Sequence, residues 1–149
     1  MTKLAPDAAE VALGETQAVL AMVQDEERRG RLADLVAAIG YGELDEADAQ
    51  ALEEIIELGL STGRIRGLYG PEGEQAALKT YRRLPRGKEL SASAREVSQA
   101  LAALEGKTLE SVSVQSAGPG AYLVSIGVEG LELSVRLDAH GARLTSVGT

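Results

Sequence analysis

The apolar residues of the first sixty positions recur at the spacing of an α-helix. From Pro6 to about Gln24, valine, alanine and methionine repeat every three or four residues, and proline suits the first turn of a helix. A second apolar series predicts a helix that ends at Gly40, because glycine readily adopts the left-handed conformation of a helix stop. A third helix is predicted from an N-cap at Asp45 to Gly59.

Glycine punctuates the next segment, residues 60–73, and we interpret it as irregular. A fourth helix is predicted over residues 74–84, and the Pro-Arg-Gly sequence at 85–87 is expected to end it. Ser93, with a glutamate three residues later, fits a capping box. This pair predicts a fifth helix that runs to about Glu105.

After Thr108 the period of the apolar residues changes from helical to two. Three alternating segments are separated by turn sequences at 117–120, 129–130 and 138–141, and a short fourth strand is predicted around 142–147. Short connections favour antiparallel neighbours, and the fifth helix is the nearest element to cover the sheet. The residues expected to be buried on one face are Val112, Val114, Val124, Ile126, Leu133, Val135 and Leu137.

These elements predict an α+β fold. A helical N-terminal two-thirds of about five helices leads into a C-terminal antiparallel β-meander of three to four strands packed on a helix. The length of 149 residues fits a single domain, 1–149. If the chain divides, segment 83–87 is the best boundary, between a helical part, 1–85, and a helix with the β-meander, 88–149.

The composition argues against several kinds of chemistry. The chain has no cysteine, which removes thiolate catalysis, disulfides and cysteine-ligated metals. It has no phenylalanine or tryptophan and only four tyrosines, so base stacking on aromatic platforms is poorly supported. No long apolar run indicates a signal peptide or a membrane span, and we expect a cytoplasmic protein with no membrane contact.

The formal net charge of −8 conceals a strong asymmetry. Residues 1–60 hold 4 basic and 14 acidic side chains (net −10), residues 61–88 hold 7 and 2 (net +5), and residues 89–149 hold 4 and 7 (net −3). Three interpretations of the basic segment stay open: it faces an acidic protein partner, nucleic acid, or the acidic helices of its own or a sister chain. Its cations are the candidate partner-binding residues Arg64, Arg66, Lys79, Arg82, Arg83, Arg86 and Lys88.

Segment 51–70 resembles a helix-turn-helix. Leu58-Gly59-Leu60 has the apolar-Gly-apolar form of that motif's turn, and Ser61 suits the cap of a second helix. The resemblance implies that Ile65 and Leu68 are buried and that Arg64 and Arg66 point toward DNA. A DNA-binding transcriptional regulator is therefore the alternative function.

Residues with catalytic potential are few. His140 is the one histidine and lies in a predicted turn, and no serine lies in a Gly-x-Ser-x-Gly elbow. The carboxylates of the third helix suit its dipole and its solvated face, and a carboxylate-dependent enzyme is the third hypothesis. We predict no catalytic, cofactor-binding or metal-binding residue, and expect His140→Ala and Ser61→Ala to leave folding and function nearly intact.

The pattern as a whole favours a non-enzymatic protein-interaction or regulatory module that acts through charged helical surfaces. The expected partner is a protein with an acidic surface or a second copy of the chain, as in a homodimer, and nucleic acid is the less favoured partner.

Overall fold

The computed structural model describes residues 1–148 and shows an α+β fold in which five helices are followed by a four-stranded antiparallel sheet. The chain divides into two compact units, a helical unit of residues 1–88 and a sheet unit that begins at Glu89. The helices are α1 (Pro6–Met22), α2 (Glu26–Tyr41), α3 (Glu46–Ser61), α4 (Arg64–Tyr81) and α5 (Pro85–Ala102). The strands are β1 (Thr2–Lys3), β2 (Glu43–Leu44), β3 (Leu109–Gly118), β4 (Ala121–Val128), β5 (Leu131–Asp138) and β6 (Gly141–Gly148).

Aspartate caps begin two of the helices. Asp45 caps α3 as predicted, because its side chain accepts a hydrogen bond from the backbone N–H of Asp48 at 2.8 Å. Asp25 caps α2 in the same way. The end of α2 differs from the prediction: the helix continues through Gly40 and stops at Gly42, whose φ is 79° and whose N–H reaches back to the last turn.

Most of the segment 60–73 is helical, which corrects its interpretation as irregular. Helix α3 continues past Gly59 to Ser61, and the left-handed Gly63 (φ 75°) separates it from α4. Within α4, Gly70 adopts φ 71° and ψ −176°, and Pro71 follows at once. Proline has no N–H for the preceding turn, so the helix kinks at this point and then resumes.

Helix α5 begins earlier than predicted. Pro85 occupies its first turn, where a missing N–H costs nothing. Gly87 is buried so closely against the preceding segment that a Cβ would overlap the carbonyl oxygen of Tyr81. Ser93 is therefore not a cap but an internal helical residue; its hydroxyl donates to the carbonyl of Leu90 and accepts from the backbone N–H of Ala142.

The core of the helical unit is made of aliphatic side chains from its four helices and the short ribbon of β1 and β2. The members that are completely or almost completely buried are Ala12, Leu35, Ile39, Leu44, Leu52, Ile56, Ile65, Ala77 and Leu84. With no phenylalanine or tryptophan, the core relies on branched side chains at close spacing.

The sheet has the order β3-β4-β5-β6, with antiparallel neighbours throughout. Helix α5 packs on its centre, where Val97 meets Leu133 and Val135. Leu101, Leu104, Val124 and Ala142 surround this small core. The turns fall where the sequence predicts them.

The predicted burial of the sheet face is correct at two residues of β5, partly correct on β4, and wrong at Leu137 and on the edge strand β3. Leu133 and Val135 are buried, and Val124 and Ile126 are partly buried, but Val112 is 57% exposed, Val114 63% and Leu137 41%. A helix is about 10 Å wide and strands lie about 4.8 Å apart, so one helix covers roughly two strands. All of β3 consequently stays exposed.

The assignment of the helical core is tested by comparing the stabilities of two variants of α3, Leu52→Ala and Leu58→Ala. Leu52 is completely buried and Leu58 is 61% exposed. We expect Leu52→Ala to lower the free energy of unfolding by about 2–5 kcal/mol, because it removes apolar contact and leaves a cavity. Leu58→Ala should change it by no more than about 0.5 kcal/mol. Urea unfolding followed by circular dichroism measures both, and equal losses would contradict this assignment of the core.

Candidate functional site

The seven candidate cations divide into two groups in the structure. Arg64, Arg66 and Arg86 form ion pairs with carboxylates of their own chain. The remaining four are exposed and form no ion pair within 4 Å among residues 1–148; they are Lys79, Arg82, Arg83 and Lys88. The first group therefore contributes to contacts within the chain, whereas the second group is exposed to solvent.

The first ion pair joins α1 to the start of α4. The side chain of Glu15 is only 4% exposed, and the Nε of Arg64 lies 3.3 Å from its carboxylate. Tyr69 lies beside the pair, over Gly14, where a Cβ would overlap its hydroxyl. Burial and the neighbouring Glu15 carboxylate raise the pKa of Tyr69, so its hydroxyl stays protonated. This cluster holds α1 against α4 in one register.

A second cluster joins α3 to the start of α5. The backbone N–H of Arg86 donates to the buried Glu53 at 2.7 Å, and its guanidinium lies 3.4 Å from Glu57. The hydroxyl of Tyr81 donates to Glu57 at 3.1 Å. Burial and the Glu57 carboxylate raise the pKa of Tyr81 to about 12, which keeps this donor protonated at any physiological pH.

The structure of segment 51–70 differs in several places from the helix-turn-helix that its sequence resembles. The turn lies at Thr62 and Gly63 rather than at 58–60, and the helical stretch after it reaches its kink at Gly70. Ile65 is fully buried as expected, but Leu68 is 63% exposed, which corrects the expectation that it is buried. Arg64 is directed at Glu15, and Arg66 lies 3.8 Å from Glu74.

Three unpaired cations lie at the end of α4. Lys79 belongs to the last turn of the helix, Arg82 is its C-cap, and Arg83 follows in the turn before α5. Lys79 and Arg83 line a small recess with Lys3, and Lys79 and Arg82 line a larger one of about 500 Å³ beside Asp7 and Glu72. We call Lys3, Lys79, Arg82 and Arg83 the cationic patch.

The helix itself favours this position for positive charge. The carbonyl groups of its last turn give the end of α4 a partial negative charge, which stabilises cations there. Lys3 comes from β1 and pairs with an exposed carboxylate, Glu43, at 3.9 Å. The patch thus combines Lys79, the two arginines that follow α4 and a fourth cation from the N-terminal strand. Lys88 lines neither recess.

The structure contains an apolar groove between α1 and α3 that the sequence did not predict. It has a volume of about 290 Å³, and its lining includes the exposed Met22 and Leu58. Val19 and Ile55 form part of its floor, and Glu15 lies at its edge. The only signal in the sequence was that the apolar stripe of α3 is wider than one neighbouring helix can cover.

The one histidine belongs to a hydrogen-bonded turn. His140 is exposed in the turn before β6, and its backbone N–H donates to Asp138. The side chain of Asp138 also accepts from Arg136 and Arg143, both at 2.9 Å. These hydrogen bonds, first that of Arg136, lower the pKa of Asp138 to about 2. These three hydrogen bonds to the Asp138 carboxylate stabilise the β5–β6 turn, and we call them the turn clamp.

Metal sites, membrane-spanning helices and known relatives also bear on the function. Within residues 1–148 no three histidine, cysteine, aspartate or glutamate side chains are grouped so that they could hold a metal ion, and no helix is long and apolar enough to cross a membrane. Comparisons with protein-family models, with curated proteins and with solved structures found no match. The function of the chain is therefore inferred from its own residues.

Arg64→Met and Arg66→Met distinguish a buried ion pair from an exposed one. We expect Arg64→Met to lower the free energy of unfolding by about 1–3 kcal/mol, because Glu15 then stays buried without its cation. Arg66→Met should cost less than about 1 kcal/mol, since Arg66 is 66% exposed. Chemical unfolding of the two variants measures the difference, and a larger loss for Arg66→Met would refute the structural assignment of Arg64.

Asp138→Asn tests the turn clamp through its pH dependence. A carboxyl group whose pKa falls from 3.8 to about 2 on folding stabilises the folded state above pH 3.8, and the stabilisation is lost as the pH falls toward 2. We therefore expect Asp138→Asn to be less stable than the wild type at pH 7 and to approach it near pH 2. Thermal unfolding across this range measures the effect, with the exposed Glu132→Gln on β5 as the control.

Proposed function

We propose that this chain is a non-enzymatic protein-binding module that uses the cationic patch to bind an acidic surface or segment of a partner protein. The observation that carries the proposal is the division of the basic segment: the most deeply engaged cations, Arg64 and Arg86, contact the chain's own carboxylates, whereas Lys79, Arg82 and Arg83 face solvent together.

Charge supports a protein partner over a nucleic acid. The patch lies in a unit whose residues 1–60 carry net −10, so a long polyanion that extends beyond the patch meets repulsion. A short acidic segment of a protein needs only the area of the patch. The nearby Asp7 and Glu72 also limit how much negative charge the larger recess accepts, which favours carboxylates in a defined arrangement.

Pairs of exposed charges contribute little affinity one by one, and a patch of four acts mainly through long-range attraction. We therefore expect weak binding that depends strongly on ionic strength, because the Debye length falls to about 8 Å at physiological salt. A partner with apolar side chains near its carboxylates would bind more tightly, through the alanine-lined recess beside Lys3.

A triple charge reversal, Lys79→Glu with Arg82→Glu and Arg83→Glu, tests the proposal. A short glutamate-rich peptide serves as the acidic probe and a duplex oligonucleotide as the nucleic-acid probe, and binding is followed by fluorescence anisotropy at low and at physiological salt. We expect the wild type to bind the glutamate-rich peptide and the triple variant to lose at least about tenfold in affinity, the equivalent of about 1.4 kcal/mol.

The matched control is Arg28→Glu with Arg31→Glu and Arg95→Glu, three exposed arginines outside the patch. It produces the same change of net charge, so an equal loss of binding would show that only total charge matters and would contradict the patch. Duplex binding at physiological salt that is abolished by Arg64→Ala would instead favour the DNA-binding regulator.

A further inference from the structure

The central part of the edge strand β3 lacks the usual protection against pairing. Its residues Ser111–Ser116 pair with β4 without interruption and contain no charge, proline or glycine, although register irregularities and Glu110 flank them. On the opposite edge, β6, Arg143 and the register irregularity against β5 lie inside the paired segment. Natural sheets block their edges with charges, proline or bulges, so an uncharged, regular and fully exposed edge is a template for another strand.

The apolar face of the same strand is also uncovered. Val112 and Val114 alternate with serine, and they share a face with Val124 and Ile126 of β4, which is the face that α5 covers at the centre of the sheet. The valines are 57% and 63% exposed. Leu109 is 57% exposed and pairs with Val128, which extends the uncovered row along β3.

The sequence of β3 is symmetric about Ser113. An antiparallel partner strand that places Ser113 opposite its own copy also places Val112 opposite Val114 and Val114 opposite Val112. The side chains that meet across the pair then match on both faces: valine meets valine, and Ser111 meets Gln115. A register shifted by two residues in either direction leaves one valine pair instead of two, because Val114 would meet Glu110 or Val112 would meet Ser116.

From this self-complementary edge we infer that β3 pairs with β3 of a second copy, so that two four-stranded sheets join into one of eight strands with their helices on the same face. Charge permits the pairing, since Glu110 lies opposite Ser116 and the two Glu110 side chains are about 20 Å apart along the strands. That separation exceeds the screening distance at physiological salt. The pairing edge shares no residue with the cationic patch.

Cysteine cross-linking tests the register directly, because the chain has no cysteine of its own. In the inferred pair, the Cα atoms of the two Ser113 residues are about 5 Å apart, within disulfide range, whereas those of the two Ser111 residues are about 14 Å apart. We expect Ser113→Cys to form a covalent dimer under mild oxidation and Ser111→Cys to stay monomeric. Equal cross-linking at both positions, or none at Ser113, would overturn the inference.

Sedimentation of the reduced protein tests association without a cross-link. At about 100 μM, above the micromolar range in which modest interfaces associate, the wild type should be a dimer. Val114→Lys should weaken association at least about tenfold, because a lysine on an edge strand opposes pairing. Val147→Lys, an equally exposed valine of β6 on the same sheet face, should leave the dimer intact. A monomeric wild type, or equal effects of the two lysines, would refute pairing through β3.

Thermal unfolding of each variant separates a lost interface from a lost fold. Val114 and Val147 are 63% and 58% exposed, so neither substitution should destabilise the monomer. The charge reversal of the cationic patch should leave the dimer unchanged. Failure of the β3 pairing and failure of the acidic-partner proposal therefore appear as different results.

Discussion

Buried carboxylates have to be matched by donors, because a charge that is removed from water without a partner strongly destabilises a folded protein. The helical unit contains two such groups, Glu15 on α1 and Glu53 on α3. Arg64 matches the first, and the backbone N–H of Arg86 matches the second. The start of α4 is therefore bound to α1, and the start of α5 to α3.

This requirement also decides which cations remain on the surface. The basic segment follows a strongly acidic one, and a chain of that kind is able to neutralise itself. The structure shows that it does so in part: the arginines at the two helix starts turn inward, and the cations at the end of α4 do not. Three of the cations that form no ion pair within residues 1–148, Lys79, Arg82 and Arg83, belong to the cationic patch, which is why we propose it as the binding surface.

A different limit shapes the sheet unit. A single helix has the width of about two strands, and α5 lies over Leu133 and Val135 in the third strand of the sheet. The first strand is left with an apolar face and a free edge. A protein that keeps such an edge exposed risks aggregation unless a defined partner strand covers it, and the symmetry of β3 makes a second copy a suitable partner.

The sequence alone determined the fold class, the number of helices, the antiparallel meander and its turns, because apolar periodicity and turn residues are local signals. It located the basic residues but could not tell which of them pair inside the chain and which stay exposed. The pairs join distant positions: Arg64 lies 49 positions from Glu15, and Arg86 lies 33 from Glu53. The sequence left the glycine-rich segment between an irregular stretch and a helix-turn-helix, and only the tertiary structure showed that helix continues on both sides of the left-handed Gly63 and of the kink at Gly70. It likewise showed that β3 is uncovered, because alternation in a strand marks its apolar face, whereas the width and position of the covering helix decide which part of that face is buried.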